Sequence, residues 1–315
     1  MKKWLLLIIA FLVICIVCIY IFIPSTIAIS DIVTAKATRD GTYRVLTATS
    51  EWRKWWVYET RNANNIKVAD GKFIYNGYTY KLQEPGYNSM LVSIGKDDNN
   101  LSSNISILQL ETDSIVIMWQ SSLQTTNNPF EKIHQYFAAV DVKKNMTEIL
   151  EHLKVFVEKD ENIYGIKIVK GTVKDTSLIT TKQMFAIQPT MNDVYRMIGI
   201  LKDYAHKNNC RQTDVPMLNI LHDSDKYRVM VGLPINKEVP ASSTVSYVKM
   251  TNGNFMVTQV QGGSATVQNA LNELQLYFSD YNKTSMAITF QYLVTDRIEQ
   301  TDTTKWITKV YAPVL

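Results

Sequence analysis

The chain has 315 residues, 46% of them hydrophobic and 20% charged, with a formal net charge of +4. That length suggests about two domains, and the composition is that of packed globular structure, not of a disordered or low-complexity chain. The small charge excess, with no Lys/Arg cluster, excludes the broad basic footprint of a nucleic-acid-binding protein.

In chain order the first element is WLLLIIAFLVICIVCIYIFI, residues 4 to 23, preceded by Lys2 and Lys3. About 20 uncharged apolar residues in a helix reach across a bilayer core. The run is longer than the core of a signal peptide and meets Pro24 without a small-x-small exit, so it predicts an uncleaved transmembrane anchor over residues 1 to 24. Ile14 and Val17 precede the two cysteines of this run where a lipoprotein needs a small residue. The lysines ahead of the run place the N-terminus in the cytoplasm and the remainder in a periplasmic or extracellular space. Outside the run Cys210 is alone, so no internal disulfide is expected and the domains must be stable from their cores.

Residues 25 to 162 read as a separate unit. IAISDIVTAKA is a predicted strand, and YRVLTATSEWRKWW follows with helical spacing and three tryptophans, Trp52, Trp55 and Trp56. Large aromatics at that spacing point to a core plug before a ligand platform. Strand-like runs come next: KFIYNGYTYKLQE, NSMLVSIGK, NISILQLE and SIVIMWQSSLQ, the first with a hairpin signal at Asn76-Gly77. NPFEKIHQYF and VKKNMTEILEHLKVFVEK carry helical stripes, the second through Met146, Ile149, Leu153 and Phe156. This order of strand, short helices, antiparallel strands and a long closing helix resembles the START-like (polyketide cyclase-like, SRPBCC) superfamily. The resemblance rests on the tryptophan run, the Trp119 strand and the closing helix. It implies a helix-grip fold with room for an apolar ligand between sheet and helix.

Residues 163 to 315 contain an internal repeat. Each copy reads strand, helix, strand, strand: LITTKQMFAIQP to VMVGLPI, then VSYVKMTNGNFMVTQVQGG to WITKVYAPVL. Val194, Met197, Ile198, Leu201 and Ala205 form one helical stripe, and Val267, Ala270, Leu271, Leu274, Phe278 and Tyr281 the other. Asn192 and Ser264 are the expected N-caps. NILHD ending at Asp223 corresponds to YLVTD ending at Asp296, and VGLPI (231 to 235) to VYAPV (310 to 314). These features predict an α+β domain of two βαββ halves about a pseudo-twofold, with a cleft as the natural place for a ligand.

VMVGLPI, the helix after VQGG, the YLVTD strand and the closing TDTTKWITKVYAPV resemble the GyrI-like (gyrase-inhibitor-like) effector-binding family. The resemblance implies a ligand cleft with a glutamate where this chain has Gln291. An amide there carries no charge for a cationic ligand and does no proton transfer, so the expected ligand is neutral or amphipathic and the expected role non-catalytic. The residues expected to line the cleft are Gln291, Phe185, Met230, Trp306 and Tyr311, the last four by position on the central strands. A hydrolase of reactive small molecules and a haem carrier are the alternatives that the resemblance leaves open.

Other chemistry finds little footing. His134, His152, His206 and His222 are scattered, without metal-ligand spacing or a cysteine partner. No serine sits in a nucleophile elbow, and Gly262-Gly263 reads as the turn that starts a helix, not as a phosphate cradle. No catalytic residue, metal, cofactor or nucleic-acid partner is expected. The expected partners are a small apolar or amphipathic ligand and, through the N-terminal helix, a membrane.

Overall fold

The computed structural model describes residues 2–57, 71–96, 99–173, 177–223, 225–250, 253–285 and 287–314. The chain divides into two units, Met1–Lys159 and Asp160–Leu315. It is α+β, and each unit holds one antiparallel sheet.

The first unit runs α1 (Lys2–Phe22), β1 (Thr26–Ala35), α2 (Arg39–Thr47), α3 (Thr49–Trp55), β2 (Lys72–Tyr75), β3 (Tyr78–Gly86), β4 (Ser89–Lys96), β5 (Asn99–Glu111), β6 (Ser114–Gln124) and α4 (Pro129–Val157). The sheet order is β1-β6-β5-β4-β3-β2. Asn76 and Gly77 both take positive φ, 48° and 75°, which is the backbone a two-residue turn between β2 and β3 needs. The two helical runs expected near the end of this unit are one helix of 29 residues. No Gly or Pro interrupts it, and Asn128 caps its start by accepting from Phe130 N at 3.0 Å and Glu131 N at 3.4 Å. Its face of Ala139, Val142, Met146, Ile149, Leu153 and Val157 is buried, and the helix packs on β1 and β6.

Between the sheet and α4 the space is filled by aromatics. Trp52 is fully buried and Trp55 and Trp56 nearly so. The Trp52 ring lies 4.7 Å from Trp55, 5.4 Å from Trp56 and 5.3 Å from Phe73. Trp56 continues to Tyr80 at 5.2 Å, and Tyr80 to Trp119 at 5.9 Å. Three indoles find acceptors: Trp52 donates to Leu46 O at 2.6 Å, Trp56 to Ile74 O at 3.2 Å and Trp119 to Ser103 Oγ at 2.9 Å. Buried, mutually packed rings with three of the four indoles' N–H groups satisfied make this cluster the plug of the core, while the Trp55 indole N–H is buried without a partner among the described residues.

Helix α1 carries exposed apolar side chains all round, among them Trp4, Leu7, Phe11, Ile14 and Phe22. Its side chains are described without a break only from Leu6 to Phe22. Among the described residues no helix is long and apolar enough to cross a membrane. The structure therefore does not bear out the span expected over residues 4 to 23.

The second unit runs α5 (Asp160–Tyr164), β7 (Ile168–Gly171), β8 (Ser177–Phe185), α6 (Met191–Lys207), β9 (Met217–Asp223), β10 (Lys226–Pro234), β11 (Ser246–Lys249), β12 (Asn254–Gln261), α7 (Ser264–Asp280), β13 (Phe290–Leu293) and, after a 3-10 turn at Thr303–Lys305, β14 (Ile307–Val314). The sheet order is β11-β8-β10-β9-β13-β14-β12-β7. It reads the same from both ends once the repeats are superposed, with β8, β9 and β10 answering β12, β13 and β14. The pseudo-twofold passes between β9 and β13, where Leu218 stands opposite Gln291. The short strands β7 and β11, ahead of each repeat, are exchanged: β7 pairs with β12 and β11 with β8.

Both helices bury the stripes read from the sequence. Val194, Met197, Ile198 and Leu201 of α6 pack with Leu218, Val229, Val231, Leu233 and Leu293. Val267, Ala270, Leu274 and Phe278 of α7 pack with Met256, Val260, Val310 and Ala312. Each fully buried Leu, Ile or Val of this kind contributes about 1.5–3 kcal/mol relative to exposure. The caps differ from expectation. Thr190, not Asn192, caps α6, through a reciprocal box with Asp193. Ser264 is the first residue of α7, the cap position falls on Gly263, and no side chain caps it.

Candidate functional site

Strands have a side-chain period of two, and residues opposite one another across a ladder share a face. In the second unit one face of the sheet is packed by Ile179, Leu218, Val229, Val231, Leu233, Leu293 and Val310 against α6 and α7. The other face carries the alternate set: Leu178 and Thr180 on β8, Met217 and Asn219 on β9, Met230 and Gly232 on β10, Phe255 on β12 and Phe290 on β13. These residues line a cavity of ≈ 600 Å³, closed further by Val248, Met250, Ile288 and Pro313.

Among the described residues every lining side chain is uncharged. Phe255, Phe290, Tyr292 and Tyr311 form its aromatic border: Phe290 stacks on Tyr311 with centroids 5.4 Å apart and planes 6° apart, and Tyr292 lies 4.6 Å from Tyr311. Burial raises the Tyr311 phenol pKa above its ordinary value, with the Asp214 carboxylate adding to it. The polar mark on the wall is Asn219, buried on β9. Its Nδ2 donates to Thr289 O at 2.8 Å. Gly232 keeps the wall open. A Cβ there would meet Met217 Cβ at 3.6 Å and Thr180 Cγ2 at 3.7 Å, ordinary contact distances.

Of the residues expected at the site, Met230 lines the cavity. Tyr311 is opposite Phe290 on the same face, stacked on its ring at the cavity's border. Gln291 is opposite Leu218 and Val310, both on the helix-packed face, so it points away from this cavity. Phe185 packs with the α6 core. Trp306 is buried beside Arg297 and donates its indole N–H to Gln300 O at 2.7 Å. Met230 and Tyr311 are thus on the cavity side, and the other three are not. Sequence reasoning passed over Asn219, Met217, Phe255 and Phe290. The alternation of Phe290 and Tyr292 against Gln291 was the available signal.

The first unit holds a smaller cavity of ≈ 320 Å³ between β1, β3, β4, β5, β6 and α4. Its lining mixes Ile29, Leu101 and Phe137 with Lys96, His134 and Asp141. Lys96 Nζ sits 4.6 Å from the centre of the Tyr78 ring. Among the described residues no group of three or more His, Cys, Asp or Glu side chains is placed to hold a metal.

No family model matches the sequence, and no curated protein matches it either. Solved structures with a similar course include the cryo-EM structure of an EcmrR–DNA complex, at 12% identity and a TM-score of 0.44, covering 60% of this chain and 72% of that one. SAV2435 bound to tetraphenylphosphonium is similar over 47% of this chain and 94% of that one, at 15% identity and a TM-score of 0.33. A START superfamily protein from Mycobacterium smegmatis is similar over 42% of this chain and 94% of that one, at 16% identity and a TM-score of 0.27. All three likenesses are distant.

Proposed function

We propose that this chain is a membrane-anchored protein that binds a neutral, largely apolar small molecule in the cavity of its second unit, without turning it over. The observation that carries the reading is a ≈ 600 Å³ cavity whose lining, among the described residues, is uncharged, with one buried amide on its wall. Ligand sites are commonly of about 300–1,000 Å³, mostly apolar, with a few placed polar groups. A charged ligand would lose its hydration here without a counter-charge. The Asn219 amide on the wall favours a ligand with one hydrogen-bonding group. Among the described residues the lining offers no carboxylate, imidazole, thiol or amine to act as base or nucleophile, which favours binding over hydrolysis.

The palindromic strand order supports the GyrI-like resemblance of residues 163 to 315. The long helix against the six-stranded sheet supports the START-like resemblance of residues 25 to 162. The anchor rests on the uncharged run of residues 4 to 23 and on the exposed apolar side chains all round α1. A helix apolar on every side needs a partner phase. Lys2 and Lys3 favour a cytoplasmic N-terminus and both units on the far side.

A thermal-shift comparison tests the binding reading. A neutral aromatic alcohol such as 1-naphthol is expected to stabilise the protein more than an aromatic cation of similar size. The reverse order contradicts it. Release of the chain from membranes by alkaline carbonate contradicts the anchor.

A further inference from the structure

On the helix-packed face of the second sheet, away from the cavity, lies a buried positive charge that no ion pair among the described residues balances. Arg297, just beyond β13, is 7% exposed. Its Nη2 donates to Thr308 Oγ1 at 2.8 Å, and its Nη1 points at Met191 Sδ at 3.0 Å. Its Nε is buried and donates to nothing. The guanidinium carbon stands 4.7 Å from the centre of the Trp306 ring. The Arg297 backbone N–H is held by the Tyr195 hydroxyl at 2.6 Å, which fixes where the side chain starts.

A guanidinium has five N–H donors and keeps its charge in a protein. Here one donor has a good acceptor and another has only a thioether, a weak one. Among the described residues no carboxylate pairs with the Arg297 guanidinium; the adjacent Asp296 accepts from Ile298 N at 2.9 Å and also faces the Tyr195 hydroxyl. Burial alone lowers its pKa from the ordinary value, and the effect that opposes this comes from a tyrosine, not from an acid. Buried charges are normally paired. The Trp306 face offsets part of the lost hydration but leaves the Nε edge empty.

We propose that Arg297 anchors an anion site that takes the carboxylate of a small amphipathic acid, with the apolar body of the acid against Trp306, Tyr195 and Met191. A planar two-oxygen head matches the Nε–Nη edge bidentately, which a spherical anion such as chloride does not. One guanidinium without a second cation suits a monoanion better than a phosphate. At the neighbouring start of α6 the Thr190 and Asp193 backbone N–H groups are already taken by the capping box, and the Asp193 carboxylate opposes a second negative charge. Met191, the first residue of α6, is unbranched and yields its place by rotamer change. Thr308 stands opposite Leu293 in the ladder, so the site shares the helix-packed face and is separate from the cavity wall. The proposal does not rest on the reading of that cavity.

The test is methionine-methyl NMR of the full chain in lipid nanodiscs, titrated with benzoate and, separately, with benzyl alcohol. Benzoate is expected to move the Met191 methyl saturably, and benzyl alcohol to leave it in place. Arg297→Gln is expected to remove the benzoate response while the Met197 methyl, in the adjacent core, keeps its position. Arg297→Lys keeps the charge without the fork and is expected to weaken benzoate about tenfold or more. The proposal is overturned if both ligands move Met191 alike, if benzoate moves it in neither nanodisc nor detergent preparations, or if the response survives Arg297→Gln. Should that variant misfold, unchanged benzoate affinity in Arg297→Lys overturns it.

Discussion

The two units solve the same packing problem differently. In the first, the space between a curved sheet and a long helix is filled by Trp52, Trp55, Trp56, Phe73, Tyr80 and Trp119, and the cavity that remains is small and has charged groups at its wall. In the second, helices α6 and α7 cover one face of the sheet, and the opposite face, apolar as well, encloses ≈ 600 Å³ with no charge on its lining among the described residues. Residue size explains much of the contrast. The first unit spends indoles where the second has Gly232, Thr180 and methionines. Methionine adapts its shape to a guest, while a satisfied indole holds its position.

The largest expected effect separates plug from wall. Trp52→Ala removes a fully buried indole and its bond to Leu46 O, and is expected to cost about 3–5 kcal/mol in denaturant unfolding. Met230→Ala, on the cavity wall, is expected to cost about 1 kcal/mol or less, because that side chain is only half-buried. Equal costs would break the comparison.

Next comes Gly232→Leu. A Cβ is accommodated at that position, and the rest of the side chain grows into the cavity. Binding of 1-naphthol, read by calorimetry, is expected to weaken at least tenfold, or about 1.4 kcal/mol, with the fold retained.

A smaller contrast appears at alkaline pH. Burial, with the Asp160 carboxylate adding to it, pushes the Tyr277 phenol up to about 12, against about 10 in an unfolded chain. The protonated phenol is therefore favoured in the fold. Stability is full below about pH 10 and is lost as pH climbs towards 12. Tyr277→Phe is expected to flatten that loss in a pH series of thermal melts. The smallest effect is a null. Gln291→Glu is expected to leave the order of neutral and cationic ligands unchanged, since its side chain faces away from the cavity; a reversed order in a thermal-shift screen would put Gln291 back in the site.

The repeat was legible because its two helices keep a clean 3.6 period and matching aspartates, Asp223 and Asp296, follow its paired strand sequences, although β13 itself ends at Leu293. The tryptophan plug was legible from residue type and spacing. The exchange of β7 and β11 was not, because a strand of four residues carries no signal of which edge it joins. The cavity face was half legible. Alternation divides Phe290 and Tyr292 from Gln291 and Leu293, but both sets are largely apolar because this central strand is covered on both sides. Nothing in the strand itself tells which set meets the helices. The helices decide that, through Leu293 against α6. Arg297 stayed hidden for a related reason: one arginine in a turn-rich segment reads as solvated until its burial is seen.

The most direct measurement uses the methionine methyls as local reporters in the full chain. Met217, Met230 and Met250 line the second unit's cavity, while Met90 and Met146 sit in the first unit's core. Titration with 1-naphthol in nanodiscs is predicted to shift the first three methyls together and saturably, and to leave Met90 and Met146 in place. Shifts confined to Met90 and Met146, or a silent trio at Met217, Met230 and Met250, would contradict the account.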